Sequence, residues 1–374
     1  MRSLESSPLR RLLLLALVLA ALTAGIWYHL RPGPVLEADR PAVVHEQPGR
    51  DVRLNAVGDI MLGRHVGTLI SRNGVAYPFG KLAGPMADAD FTFANLESPL
   101  SQRGTPLEGK PVEVVFRADP GAIDCLPMAG IDIVSLANNH TVDYDSPALL
   151  DTIEFLKQVG IRSVGAGIDI QQARQPVVLE KDGLKLAFLA YTDLADIYFS
   201  DRDRRAPRAT AKRPGVAPLD EKMMLEDVAR ARTLADRVVV SLHWGTEYQG
   251  MPSSGQQVLA HRLVDAGADL IIGHHPHWFQ GVEVYKGRVI AYSLGNFVMD
   301  QNWSNETREG LFLQVDFMRD GTLKARVRPV FINNSQPQWV EGEHQQRLLN
   351  RVVAFSSRLN TRAAVDKEWV EYGR

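Results

Sequence analysis

The stretch Gly273-His274-His275-Pro276-His277-Trp278-Phe279-Gln280 follows the apolar run Leu270-Ile271-Ile272. Three imidazoles therefore stand where a buried strand leaves its sheet. Pro276 favours extended backbone at His275. In an extended chain the side chains at i and i+2 project to one side, roughly 6 to 7 Å apart, so His275 and His277 are expected to face one shared site. Imidazole is a common ligand of transition metals, and the pattern points to a metal or phosphate-type site.

Working outward, the same grammar of apolar strand and polar exit recurs along the chain. Strands are expected at 53–57, closed by Gly58-Asp59, at 91–94, closed by Asn95-Leu96-Glu97, and at 131–136, closed by Asn138-Asn139-His140. Ser146-Pro147 starts a helix running to Gly160, with Leu149, Leu150, Ile153 and Leu156 on one side. A strand at 238–242 ends in His243-Trp244-Gly245, and a helix at 256–266 ends at Gly267 before the histidine-rich stretch. Alternating strands and helices are the mark of an α/β fold. The runs 289–294, 311–317 and 323–331 read as an antiparallel meander. The tract 200–218 carries Arg202, Arg204, Arg205, Arg208, Lys212 and Arg213 and reads as a long surface loop, with steering of an anionic substrate as the sharper reading. Residues 345–359 space Leu348, Leu349, Val352, Val353 and Phe355 as an amphipathic packing helix.

Composition narrows the class. A chain of 374 residues, 45% apolar and 23% charged, is globular, and a net charge of −2 gives no basic domain for nucleic acid. Cys125 is the single cysteine, so no intrachain disulfide can form, and its apolar neighbours make it a small buried hydrophobe. At the N-terminus, Arg10-Arg11 precede nineteen residues, 12–30, in which His29 is the only ionisable side chain. That length crosses a bilayer, and Trp27 and Tyr28 suit the far interface. A cleaved signal peptide is the alternative, but Leu22 stands where cleavage after Ala24 wants a small residue. The expectation is a single-pass cell-membrane anchor at 12–30 with residues 1–11 cytoplasmic, because Arg2, Arg10 and Arg11 mark the inner side. A Pro-rich, charged tether at 31–50 then leads to an extracytoplasmic domain at 51–340 and a C-terminal helix and tail at 341–374.

Five strand exits thus end in Asp59, Glu97, Asn139-His140, His243 and His275-His277, and α/β sheets gather ligands at the carboxyl ends of their strands. Carboxylates, imidazoles and an Asn carbonyl suit a pair of divalent transition ions such as Mn, Fe or Zn, whereas Mg or Ca prefers oxygen throughout. Two such ions suit hydrolysis of an ester. Glu247 and Asn296 are candidates to orient the histidines or meet substrate.

Six ordered blocks carry a family resemblance: Val57-Gly58-Asp59-Ile60-Met61-Leu62, Asn95-Leu96-Glu97-Ser98, Ser135-Leu136-Ala137-Asn138-Asn139-His140, His243-Trp244-Gly245, Gly273-His274-His275-Pro276-His277 and Ser293-Leu294-Gly295-Asn296-Phe297. Over about residues 52–330 the chain resembles the CapA or PgsA-like proteins of poly-γ-glutamate capsule synthesis, whose domain is similar to the calcineurin-like metallophosphoesterases. The resemblance implies a four-layer α/β sandwich of two mixed sheets flanked by helices. It implies that Asp59 and His277 hold one metal, that Asn139, His243 and His275 hold the other, that Glu97 bridges them, and that His140 protonates the leaving group. One departure is Met61, where the phosphoesterase pattern has His; His65 is the candidate substitute. The implied function is a membrane-anchored capsule synthesis protein that works on or holds an anionic polymer beside a synthase or export complex. A phosphoester hydrolase unrelated to capsule and a metal-free export scaffold are the alternatives.

Overall fold

The strand Val52–Ile60 (β1) is buried along its whole length, as a central strand covered on both faces must be. In the computed structural model, which describes residues 52–202 and 205–372, β1 pairs in parallel with Phe91–Leu96 (β2), which pairs in parallel with Ile133–Ser135 (β3). On its other side β1 runs antiparallel to Glu309–Phe317, and that strand to Leu323–Asn333. A second sheet has Arg237–His243 (β4) and Leu270–His274 (β5) parallel at its centre. Leu184–Thr192 and Arg288–Ala291 flank them in parallel, with antiparallel strands Val177–Lys181 and Val282–Tyr285 at the edges. The fold is therefore mixed α/β, with parallel and antiparallel pairs in both sheets.

Alternation of side chains across each strand divides the core. Leu54, Phe93 and Ile133 of the first sheet and Phe188, Val239 and Ile272 of the second bury against one another, with Phe93 and Phe188 stacked at 6.0 Å. Opposite faces pack helices: Val57, Leu96 and Val134 meet Val66, Leu149 and Leu156, while Leu189, Val240 and Ile271 meet Met224, Val228 and Leu263. The helix Gly342–Ser357 packs Leu348, Leu349 and Val352 into the core shared by the sheets, as its amphipathic spacing leads one to expect. The last strands, Ala364–Asp366 and Trp369–Tyr372, extend the first sheet.

Two expectations need correction, and one element went unread. The run 289–294 does not join a meander with 311–317; Arg288–Ala291 lies parallel to β5 in the second sheet. Gly295, at φ 68, turns the chain so that Asn296–Val298 pairs with the end of β1 in the other sheet. The hairpin Val177–Lys181/Leu184–Thr192, closed by Asp182-Gly183 with both residues at positive φ, was not foreseen, although an Asp-Gly pair suits that turn. Finally, the arginine-rich tract is not a solvated loop throughout: Gly215–Val216 pairs with Ala166–Gly167, Arg205 and Arg208 are bonded to Asp145 and Asp196, and Ala209, Val216 and Ala217 are buried. The proposed anchor at 12–30 lies outside the described residues, among which no helix is long and apolar enough to cross a membrane.

Candidate metal centre

The carboxyl ends of β1 to β5 meet. Gly58 and Gly273 precede the first polar residues of two of these exits, and each is needed for close approach: a Cβ would lie 1.9 Å from the Gly295 carbonyl oxygen at Gly58 and 1.8 Å from that of Tyr292 at Gly273. Asp59 is thereby held by its own N–H, which donates to the Gly295 carbonyl at 3.0 Å. One carboxylate oxygen, Oδ1, accepts from Asn95 Nδ2 at 2.9 Å and lies 3.1 Å from His274 Nδ1. The other, Oδ2, lies 3.6 Å from His277 Nδ1.

Glu97 leaves β2 fully buried, with Oε1 3.4 Å from His243 Nε2 and Oε2 without any hydrogen-bond partner. His243 Nε2 also lies 2.9 Å from Asn139 Oδ1. Asn138 supports that loop, its Nδ2 donating to Asn95 Oδ1 and to the Leu96 carbonyl while its Oδ1 accepts from the His140 N–H. His275 stands beside His243, ring centroids 4.8 Å apart, and its buried Nδ1 is unpartnered. The ligand-type atoms of Asp59, Glu97 and His243 all lie within 4.8 Å of one another.

His275 and His277 do come together, at 6.1 Å between ring centroids, but not by extended backbone. Their φ angles are 95 and 58; left-handed turns on either side of Pro276 swing both rings back over the strand ends. Such conformations in non-glycine residues are costly and are kept where surroundings enforce them.

Burial and mutual charge set the protonation pattern. Burial alone would raise Asp59, yet the hydrogen-bonded His274 and the adjacent His277 hold it well below the ordinary carboxylate range. Burial, then the neighbouring Asp59 charge, pushes Glu97 well up. His243 is driven well down by burial and by His275, and His275 falls to about 3 through burial and the charge of His277. His277 rises to about 9 because Asp59 and Glu97 outweigh its burial. Buried carboxylates, two neutral imidazoles, an Asn oxygen and two unpartnered ligand atoms fit a divalent transition metal.

His140 faces the same region from a locked position. Its Nδ1 lies 2.8 Å from Asp143 Oδ2, which also accepts from the Phe116 N–H, and Phe116 stacks on the imidazole at 3.8 Å. Lys110, buried, is ion-paired with Asp143 and donates to the Asn139 carbonyl. Burial and Lys110 lower His140 to about 4. Sequence reading missed Lys110 and Asp143 as members of this group; Asp143, three residues after His140 in the same turn, was within reach of it, whereas Lys110 sits in an irregular segment without periodicity. Asn95, Asn138 and His274 lay inside quoted motifs without a role of their own.

The remaining candidates divide. Asn296 Oδ1 lies 2.9 Å from His277 Nδ1, as a residue orienting that ring should. Glu247 is exposed, and its charge adds to the upward push on Glu97. His65, the candidate substitute for a ligand at Met61, is exposed on the helix Arg64–Asn73, with its backbone N–H donating to Asp300. Met61 is buried in the apolar core, its sulfur accepting from the Gly63 N–H.

A family model described as "Bacterial capsule synthesis protein PGA_cap" matches residues 53–301. The chain is similar to the capsule biosynthesis protein CapA of Bacillus anthracis, 32% identical over 89% of this chain and 79% of the relative. It is likewise similar to the PGA biosynthesis protein CapA of Bacillus subtilis, 34% identical over 75% of this chain and 72% of the relative. Among solved structures, a hypothetical protein from Thermus thermophilus superposes with a TM-score of 0.44 at 18% identity, over 74% of this chain and 97% of the other.

Proposed function

We propose, because the chain belongs to the PGA_cap family of bacterial capsule synthesis proteins, that it serves poly-γ-glutamate-type capsule synthesis as a membrane-anchored protein whose domain is a metal-dependent, phosphoesterase-like hydrolase. The observation that carries the catalytic part is the convergence of Asp59, Glu97 and His243 with Glu97 Oε2 and His275 Nδ1 buried and unpartnered. Buried polar atoms without partners are costly, and cations bound among these side chains would relieve them.

In this reading Asp59 and His277 would hold one ion, Asn139, His243 and His275 would hold another, and Glu97 would serve both. Bound ions would supply Lewis-acid activation of water and charge stabilisation at the ester. The chain's own residues do the rest. Asn95 and His274 turn the Asp59 carboxylate, Asn296 turns His277, and Asp143 holds the His140 ring through Nδ1, so that Nε2 would take up a proton before passing it to a leaving group. Two packed sheets with helices outside support reading the fold as a four-layer metallophosphoesterase-like sandwich. Residues 12–30 would hold the domain at the outer face of the cell membrane, beside a polymer synthase or export complex.

Met61 favours a second reading. With a core methionine where a ligand is expected and His65 on the surface, one metal position is short of a donor, which suits a domain that holds polymer without turnover. Transition-metal content of the full chain, extracted in detergent and dialysed, tests the metal site. The wild type should retain metal and a His275→Ala, His277→Ala double variant should lose it; equal content in both sinks the site.

A further inference from the structure

Trp303 is 60% exposed, and its loop is pinned. Asp300 bonds the Arg64 guanidinium and the His65 N–H. Thr307 Oγ1 donates to the Gln301 carbonyl at 2.7 Å, and Asn296 Nδ2 donates to Gln301 Oε1 at 3.2 Å and to the Thr307 carbonyl at 2.8 Å. Asn296 is the residue whose other amide atom meets His277, so the Trp303 loop and a metal-site imidazole share one anchor. Tyr248 joins them: its ring meets Trp303 edge-on at 4.7 Å and 84°, and stacks by His277 at 6.0 Å and 28°. Tyr248 itself holds a left-handed φ of 60, with its N–H donating to the Pro276 carbonyl. Strain of that kind in a non-glycine residue gathers at functional sites, and an indole left in water on an anchored loop is apolar surface kept for recognition.

We infer that Tyr248 and Trp303 form an aromatic ledge beside the metal centre that takes the planar amide links of a polyamide chain. The inference rests on the proposed function, since the ledge adjoins His277. An amide plane offers a π-face that stacks on an aromatic ring, as a nucleobase does. Arg64, which reaches this loop, is bonded to Asp300, and Arg308 at its end to the Ile332 carbonyl, so the ledge reads the links of a poly-γ-glutamate chain and leaves its carboxylates to other groups.

Calorimetric titration of the detergent-extracted full chain with two probes tests this: a short γ-linked glutamate oligomer and a polyacrylate of matched charge, which has carboxylates but no amides. Trp303→Ala should weaken the oligomer about two- to tenfold, Trp303→Phe should restore most of it, and polyacrylate should be unchanged throughout. Repeating the titrations in a His275→Ala background separates the two readings, because a Trp303 effect that survives loss of the metal ligand upholds the ledge even where the metal site fails. Equal oligomer affinity in wild type and a folded Trp303→Ala variant, an equal loss for polyacrylate, or no oligomer binding to the wild type overturns the inference.

Discussion

Nδ1 of His277 lies 3.6 Å from Oδ2 of Asp59, and both side chains are buried where the exit of one sheet meets the exit of the other. The carboxylate beside it raises His277 to about 9, so without metal this imidazole carries a proton at neutral pH. A cation that takes His277 as a ligand must displace that proton. We expect loading at pH 7 to release about one proton per cation at this position, and affinity to rise with pH until it levels above about 9. Calorimetry in buffers of different ionisation enthalpy reads the proton count; no release would mean that His277 is not a ligand. The metal-free protein should behave in the opposite sense. A pKa raised on folding gives stability that is fully present below the ordinary histidine range and lost as pH rises through about 9.

His140 is held by Asp143, Lys110 and Phe116 without contributing to the Asp59, Glu97 and His243 convergence. His140→Ala should leave metal content at the wild-type level. If the domain hydrolyses phosphoesters, turnover of an alkyl phosphate should fall by about 10² to 10⁴-fold, and that of a nitrophenyl phosphate, whose leaving group needs no proton, by much less. Polymer output untouched by His140→Ala but abolished by His275→Ala would place the metals in a holding role.

At Gly273 a Cβ would lie 1.8 Å from the Tyr292 carbonyl oxygen and 2.9 Å from Trp244 Nε1. Neither neighbour can yield, since Tyr292 lies between the second sheet and its turn and Trp244 is fully buried. Gly273→Ala should destabilise by about 3 kcal/mol or more, at the upper end for overpacking, with a thermal shift of several degrees. Gly287→Ala is the control for loss of a glycine, because its added Cβ meets nothing although its φ of 74 carries its own strain. Equal shifts for the two would show that the close approach at Gly273 is relieved by movement.

Residues 12–30 predict retention of Met1 to Arg11 and resistance to carbonate extraction of membranes, since the stretch has the length of a bilayer span and a poor cleavage site. N-terminal sequencing and fractionation check it. A shortened form released in soluble fractions would favour a secreted domain.

Much of this protein was legible along the chain. Strands such as 91–94 and 238–242 announce themselves because burial on both faces favours mainly apolar runs, and candidate site residues cluster where the polar exits of such strands begin. Asp59, Glu97, Asn139, His243, His275 and His277 stand out in this way as candidates, and the structure brings their side chains together. What the pattern could not supply is which distant group satisfies each buried polar atom. Apolar periodicity records that a residue is buried but not what faces it, so the transfer of 288–291 to the second sheet had to come from packing. The same holds for the pairing of Asp59 with His274 across the two sheets, and for the left-handed turns that aim His275 and His277. Lys110 marks the limit most clearly: a lysine in an irregular segment reads as surface, and only the fold, by bringing Asp143 and the Asn139 carbonyl to its ammonium group, makes its burial possible, because a charge leaves water only where partners are already in place.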